Sequence, residues 1–241
     1  MEKFGKSQSV TRVEDLRFLT GAGRYVDDVA PAGALHAFFL RAPVAHGRVT
    51  ALDVADARAM PGVALIVTAD DLVAAGVRMG LAGKVLRNSD GTRAAAPVRP
   101  ILAQGCVRHV GEPVAMIVAE TMQAARDAAE AILLEIDDLP VHVALEIGGV
   151  AIHAEAPDNL AFDWALGDAD ATRAAIAAAA HVVTAQVFDN RVIVNAMEPR
   201  GCFAEVTDGR LHVAVNGQGV WATKRDLIHH FGLNDADVRV T

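Results

Sequence analysis

Cysteine is nearly missing from this sequence: Cys106 and Cys202 are the only two among 241 residues. They lie far apart and neither belongs to a C-x-x-C pair, so a zinc site, an iron–sulfur cluster and a disulfide framework have no support. Both are expected to be buried, reduced thiols. Aromatic residues make up 5%, too few for a surface built to stack bases. Positive charge is in deficit, with 22 Lys and Arg against 30 Asp and Glu and a net charge of -8. No basic stripe is present, so neither nucleic acid nor an anionic membrane is expected as a partner. Serine occurs only at Ser7, Ser9 and Ser89, none of them in a G-x-S-x-G elbow. Long apolar runs are absent too. The richest, Ala174 to Ala180, is cut by His181 and is far too short to span a bilayer. The polar start, MEKFGKSQSV, lacks the apolar core of a secretory signal, so a cytoplasmic location is expected.

What the chain has is a large apolar fraction, 52%, much of it alanine. Residues 1–17 are polar, mixed in charge and without a clear period, and read as an arm. The run ALHAFFL (Ala34 to Leu40) has strand length, and RVTALDV (Arg48 to Val54) alternates as a half-buried strand does. VALIVT (Val63 to Thr68) reads as a buried strand. Residues Gly76 to Pro100 carry scattered Gly and Pro and an Asn-Ser-Asp-Gly turn, and are expected to form a long surface loop. Order resumes with CVRHV and with VAMIVAE (Val114 to Glu120), a strand too apolar to face water. Thr121 is placed to cap the helix MQAARDAAEAIL, and LLEIDDLP closes this part as a strand. After the connector EAPDNLAFDW come a helix, DATRAAIAAAA, and a strand, HVVTAQVFD. GCFAEVT and RLHVAVN are strands joined at Asp208-Gly209, a strong hairpin signal. A last helix is expected over Val220 to Phe231 with Gly232 as its stop, followed by a strand at Val238-Arg239-Val240-Thr241.

The common chemistries fail one by one. TGAGRYV lacks the third glycine and the preceding strand of a dinucleotide fingerprint, and GLAGKV, with Gly83 and Lys84, lacks the hydroxyl and first glycine of a P-loop. His229 and His230 are adjacent on a helix rather than four apart, which favours solvated or packing roles over metal binding. The pairs Asp27-Asp28, Asp70-Asp71 and Asp137-Asp138 favour turns or solvated faces. Two places stand out. Glu198 and Arg200 flank Pro199 at the entry to an apolar strand, where charges pair with each other or with a neighbouring segment. Gln218 lies between Gly217 and Gly219. Its amide can both donate and accept, and the glycines let backbone approach a ligand. The alternative is a turn glutamine whose side chain is in water.

Six collinear blocks, RVEDLRFLTGAGRYVDD, LHAFFLRAPVAHGRV, VRHVGEPVAMIVAET, AFDWALGDADA, NRVIVNAMEPRGCFAEV and NGQGVWATKRDLIHHFGL, resemble the molybdenum-binding large subunit of the xanthine dehydrogenase / aldehyde oxidase / carbon monoxide dehydrogenase family. The bacterial form with separate subunits fits best. The resemblance implies an α+β chain: a mixed-sheet a/b hammerhead domain (18–147) after an N-terminal arm (1–17), a connector (148–164), then the incomplete start of an α/β molybdenum-cofactor-binding domain (165–241). It implies that Gln218, with Gly217 and Gly219, faces molybdopterin in its cytosine dinucleotide form and hydrogen-bonds the molybdenum centre. It implies no catalytic residue and no protein metal ligand here, because the family's glycine-rich cofactor loop, substrate pocket and general-base glutamate lie beyond Thr241. The implied partners are a downstream molybdenum-binding chain and FAD-binding and iron–sulfur subunits, with no cofactor expected on this chain alone. The implied activity is water-derived hydroxylation or oxidation of an aldehyde, an N-heterocycle or carbon monoxide. The competing expectation is a non-catalytic hammerhead module, either an interaction protein or a truncated relic.

Overall fold

A computed structural model describes residues 11–80, 85–190, 192–196 and 198–241. The P-loop candidate at Gly83-Lys84, Ser7, Ser9 and the first ten residues of the arm lie outside the described residues. In chain order the elements begin with helices α1 (Asp15–Leu19) and α2 (Val26–Val29) and strands β1 (His36–Arg41) and β2 (Gly47–Asp53). Next are α3 (Ala55–Arg58), β3 (Val63–Thr68), α4 (Ala69–Ala74), β4 (Cys106–Val107), β5 (Pro113–Ala119), α5 (Met122–Glu130) and β6 (Leu133–Asp138). The rest are α6 (Ala169–Ala178), β7 (Cys202–Thr207), β8 (Arg210–Val215), α7 (Val220–Phe231), a 3₁₀ turn at Asp235–Asp237 and β9 (Val238–Val240). The described residues fall into two compact units. One spans Leu35–Val194 and Asp226–Leu233; the other takes in the described residues up to Ala34 with Asn195–Arg225 and Asn234–Thr241.

The larger unit is organised by β5. Its sequence is apolar on both faces because it is the central strand of an antiparallel sheet ordered β1-β5-β3. Val114, Ala115, Ile117 and Ala119 are all fully buried. α5 covers one face of this sheet with alanines. Ala125, Ala128 and Ala129 follow the i, i+3, i+4 spacing of one helix face and let the helix lie close. Thr121 starts that helix, its Oγ1 accepting the Ala124 N–H at 3.1 Å. A second antiparallel sheet, β4-β2-β6, packs Val49, Leu52, Leu134 and Ile136 around Val107 and Val114. Gly47 is obligatory there, since a Cβ would collide with the Ile136 side chain on β6.

Polar groups in this unit close its turns. The buried Glu112 carboxylate accepts the Arg108 N–H at 2.6 Å, folding CVRHVGEP back on itself. Buried His46 contacts the Pro140 carbonyl through Nδ1 at 2.6 Å. The aspartate pairs take the turn or solvated-face roles expected of them: Asp137 and Asp138 end β6 exposed, while Asp28 and Asp71 close the first turns of α2 and α4. Asp71 accepts from the Thr68 N–H and Oγ1, both at 2.8 Å, and from Arg58 at 2.8 Å. The Thr68 backbone hydrogen bond is the main reason its carboxyl is held below the usual range. The loop after Gly76 is not idle. Ser89 donates to Asp163, and Asn88 accepts the Asp163 N–H at 3.0 Å, tying down the far end of the connector.

The smaller unit is a three-stranded sheet ordered β7-β8-β9. β7 and β8 form the expected hairpin, with Asp208 at φ 52° and Gly209 at φ 74°, the left-handed pair that a type I′ turn requires. β9 pairs parallel to β8, with Val238 opposite Leu211 and Val240 opposite Val213. α7 stops where expected, with Gly232 at φ 65°.

Two expectations need correction. HVVTAQVFD forms no strand: from His181 onward it runs exposed, outside every sheet. Strand propensity without a neighbour offers no hydrogen-bond ladder and no covered face. The cysteines are free but not both buried. Cys106 is half-buried, and Cys202 is exposed because it opens β7, an edge strand, on its outward face.

Candidate functional site

The two places singled out in the sequence meet in the smaller unit, through a residue the sequence reading passed over. Asn216 ends β8 and leads into Gly217-Gln218-Gly219. Its Nδ2 donates to the Pro199 carbonyl at 2.7 Å and its Oδ1 accepts the Gly201 N–H at 3.0 Å. Its backbone N–H donates to the Gly201 carbonyl at 3.3 Å. One carboxamide thus bolts the glutamine turn to the Glu198–Gly201 strip. The signal for it was present, since Asn-Gly at a strand end is a turn dipeptide whose side chain can satisfy nearby backbone.

Glu198 pairs with a neighbouring segment, one of the two roles foreseen: its Oε1 accepts the Val26 N–H at the start of α2, at 3.2 Å. Asp28 holds the same turn by accepting the Tyr25 N–H at 2.8 Å. Between these segments lies an open cleft of about 280 Å³, whose charged lining is Asp27, Asp28, Glu198 and Arg200. Three carboxylates against one exposed guanidinium make this cleft a poor host for a phosphate-bearing group. Among the described residues no cluster of three or more His, Cys, Asp or Glu side chains could hold a metal ion.

The turn itself differs from the cleft. Gly217, Gln218 and Gly219 are exposed, and a Cβ placed on either glycine would meet nothing within 4 Å. Gly219 sits at φ 114°, a conformation other residues rarely adopt. The Gln218 amide makes no hydrogen bond among the described residues, so both its donor and its acceptor are available. α7 starts directly after it, and the first N–H groups of any helix lack intrahelical partners. A neutral, unobstructed turn with a free amide beside a helix N-terminus is compatible with an anionic cofactor approaching from solvent. These residues could touch such a group and could not enclose it.

His230 serves packing, while His229 is exposed. His230 is buried, with Nδ1 2.7 Å from the Arg78 carbonyl, while Arg78 donates its N–H to the His230 carbonyl at 2.9 Å and its guanidinium to the His229 carbonyl at 3.1 Å.

Comparison with known proteins places this geometry. The aldehyde oxidase and xanthine dehydrogenase a/b hammerhead domain matches residues 20–140, and a molybdopterin cofactor-binding domain matches residues 152–241. The chain belongs to the xanthine dehydrogenase / aldehyde oxidase / carbon monoxide dehydrogenase family. The nicotine 6-hydroxylase large subunit of Paenarthrobacter nicotinovorans is 38% identical over 94% of this chain and 28% of its own length. The carbon monoxide dehydrogenase large chain of Hydrogenophaga pseudoflava is 32% identical over 94% of this chain and 29% of its own. The crystal structure of quinoline 2-oxidoreductase from Pseudomonas putida 86 superposes with a TM-score of 0.78 at 32% identity, covering 96% of this chain and 29% of that one. The chain therefore has the fold of the N-terminal part of a molybdenum hydroxylase large subunit, hammerhead first and cofactor-binding domain second, and spans less than a third of these relatives' length. Among the described residues no helix is long and apolar enough to cross a membrane.

Proposed function

We propose that this chain is the N-terminal portion, or a separately encoded piece, of the large subunit of a molybdenum hydroxylase, active only with the polypeptide that supplies the rest. The observation that carries this reading is the coverage: one relative aligns with 94% of this chain through both domains, yet through only 28% of its own length. The reaction is water-derived hydroxylation or oxidation of an aldehyde, an N-heterocycle or carbon monoxide, in a cytoplasmic complex with FAD-binding and iron–sulfur subunits.

Molybdopterin, in its cytosine dinucleotide form, would supply the redox chemistry when bound. This chain's contribution is positional. Gln218 Nε2 would donate to the bound cofactor, Gly217 and Gly219 would leave room for its bulk, and Asn216 fixes the turn that carries them.

The test is a dye-reduction assay on N-heterocycles, aldehydes and carbon monoxide, comparing the purified chain with a co-expressed complex that includes the remaining large-subunit polypeptide and the partner subunits. Turnover is expected only in the complex. Steady turnover by the chain alone would contradict the reading, and an inactive complex that nevertheless assembles would favour a non-catalytic hammerhead module.

A further inference from the structure

We propose that residues 148–160 form an acid-released latch: uptake of a proton by His153 lifts this loop from the hammerhead. The latch goes beyond the large-subunit reading and does not depend on it. It lies on the stretch of chain where the hammerhead match has ended, at 140, and the cofactor-binding match begins, at 152.

The loop is stitched mainly to itself. Asn159, at φ 59°, donates from Nδ2 to the Gly148 and Val150 carbonyls at 2.9 and 2.8 Å, and its Oδ1 accepts the Ile152 N–H at 3.1 Å. The Gly148 N–H donates to the Asp158 carbonyl at 2.7 Å, and the Ala156 N–H to the His153 carbonyl at 3.1 Å. Ala156 is the only buried residue from 148 to 160, so the loop has no core of its own. The chain is moored on either side of it. Before the loop, His46 Nδ1 lies 2.6 Å from the Pro140 carbonyl; after it, the Asp163 N–H donates to Asn88 Oδ1 at 3.0 Å. Between those moorings, among the described residues, one hydrogen bond joins the loop to the hammerhead. It runs from Arg108 Nε to the Ile152 carbonyl, at 3.3 Å.

Arg108 therefore acts on the loop in two ways. Its guanidinium holds Ile152, and its charge faces the next residue, His153. A neutral imidazole is compatible with that contact. A protonated one sets a second cation against the first at the loop's one bonded attachment, in a half-buried place where water screens less than it does at the surface. The groups facing His153 are Arg108 and His46, which oppose its charge, and Glu155 and Glu112, which favour it. Neither carboxylate cancels the cost. Glu155 is exposed, and buried Glu112 already accepts the Arg108 N–H at 2.6 Å, with His109 Nδ1 3.7 Å away. Burial first, and Arg108 second, keep the imidazole below its ordinary value of 6.5. In the lifted loop His153 is in water and binds the proton more readily. The latch is therefore fully closed above pH ~6.5. Its opening constant rises as pH falls from there toward the folded pKa, by up to about tenfold per pH unit for one proton.

The test is amide hydrogen exchange on the full chain from about pH 7.5 to about pH 5.5, read as protection factors so that the intrinsic rate is discounted. Protection at Ile152, Ala156 and Asn159 is expected to fall by up to about tenfold per pH unit below pH ~6.5, while Val114 to Ala119 on β5 stay protected. His153→Gln, which cannot take up the proton, should keep the loop protected throughout. Arg108→Gln should loosen the loop already at neutral pH and weaken its response to acid. His109→Gln, at an exposed imidazole near Glu112, should leave the response in place. A pH-independent wild-type loop overturns the latch. So does a response that persists in His153→Gln, one that vanishes in His109→Gln, or a loss of protection shared with β5. A titration of the His153 imidazole by NMR in the wild-type chain needs no variant, and a midpoint at or above about 6.5 would also overturn it.

Discussion

Replacing Asn216 by alanine tests whether one carboxamide holds the glutamine turn in place. The substitution removes the Nδ2 donor to Pro199 and the Oδ1 acceptor of the Gly201 N–H, at 2.7 and 3.0 Å. Each such bond contributes a net ~0.5–1.5 kcal/mol, and the Gly201 N–H, part-buried in the native turn, costs most if water does not replace its partner. Together they amount to about 1–3 kcal/mol. A loss near ~2 kcal/mol lowers the melting temperature of a domain of 150–250 residues by about 4–8 °C. The same loss, confined to local opening, accelerates exchange of the Gly201 amide more than about tenfold. Gln218→Ala, two residues along the same turn, is the control. Its side chain makes no hydrogen bond among the described residues, so it should stay within about ±0.5 kcal/mol. Thermal unfolding with hydrogen exchange on the three proteins gives the answer. An Asn216→Ala protein with unchanged melting and an unchanged Gly201 amide would refute the clamp.

Ile117→Ala, at a fully buried position on the central strand β5, should cost about 2–5 kcal/mol in denaturant unfolding. Burial, and then the charge of Arg108, hold His153 below the ordinary imidazole value of 6.5. With the folded pKa depressed, the unfolded state binds the proton more readily. The contribution of His153 is therefore complete above pH ~6.5 and is lost as pH falls from there to the folded pKa. His153→Gln should flatten that part of the stability–pH curve, and an unchanged slope would remove His153 as its source. In the assembled complex Gln218→Ala should lower turnover per bound molybdenum about tenfold, less than the ~10²–10³ seen on losing an oxyanion-hole donor. Gln218→Glu should be worse, because a carboxylate cannot donate. Wild-type turnover in both variants would return Gln218 to the role of a solvated turn residue.

The larger unit was legible because its signals are local. VALIVT forms its strand over the expected residues, and VAMIVAE announced a central strand by being apolar on both faces. Thr121 and Gly232 there, and Asp208-Gly209 in the smaller unit, each carry a backbone requirement that few other residues meet. The short helices α1 to α4 escaped because four to six residues leave no period to read. The strand expected at HVVTAQVFD failed for the opposite reason: its pattern is clear, but a strand forms only against a neighbour, and the described residues offer none. In the site, Gln218 and Glu198 stood out individually. The link between them did not, because Asn216 acts through side chain to backbone contacts between segments 15 and 17 residues apart, a relation that spacing does not encode.

The central claim, that this chain takes part in cofactor binding only as one portion of a larger subunit, is tested most directly by molybdenum and pterin content per chain. The measurement is made on the purified chain alone and on its complex with the complementing polypeptide. The account predicts no molybdenum on the chain alone and about one molybdenum and one pterin per complex. Stoichiometric molybdenum on the isolated chain would contradict it.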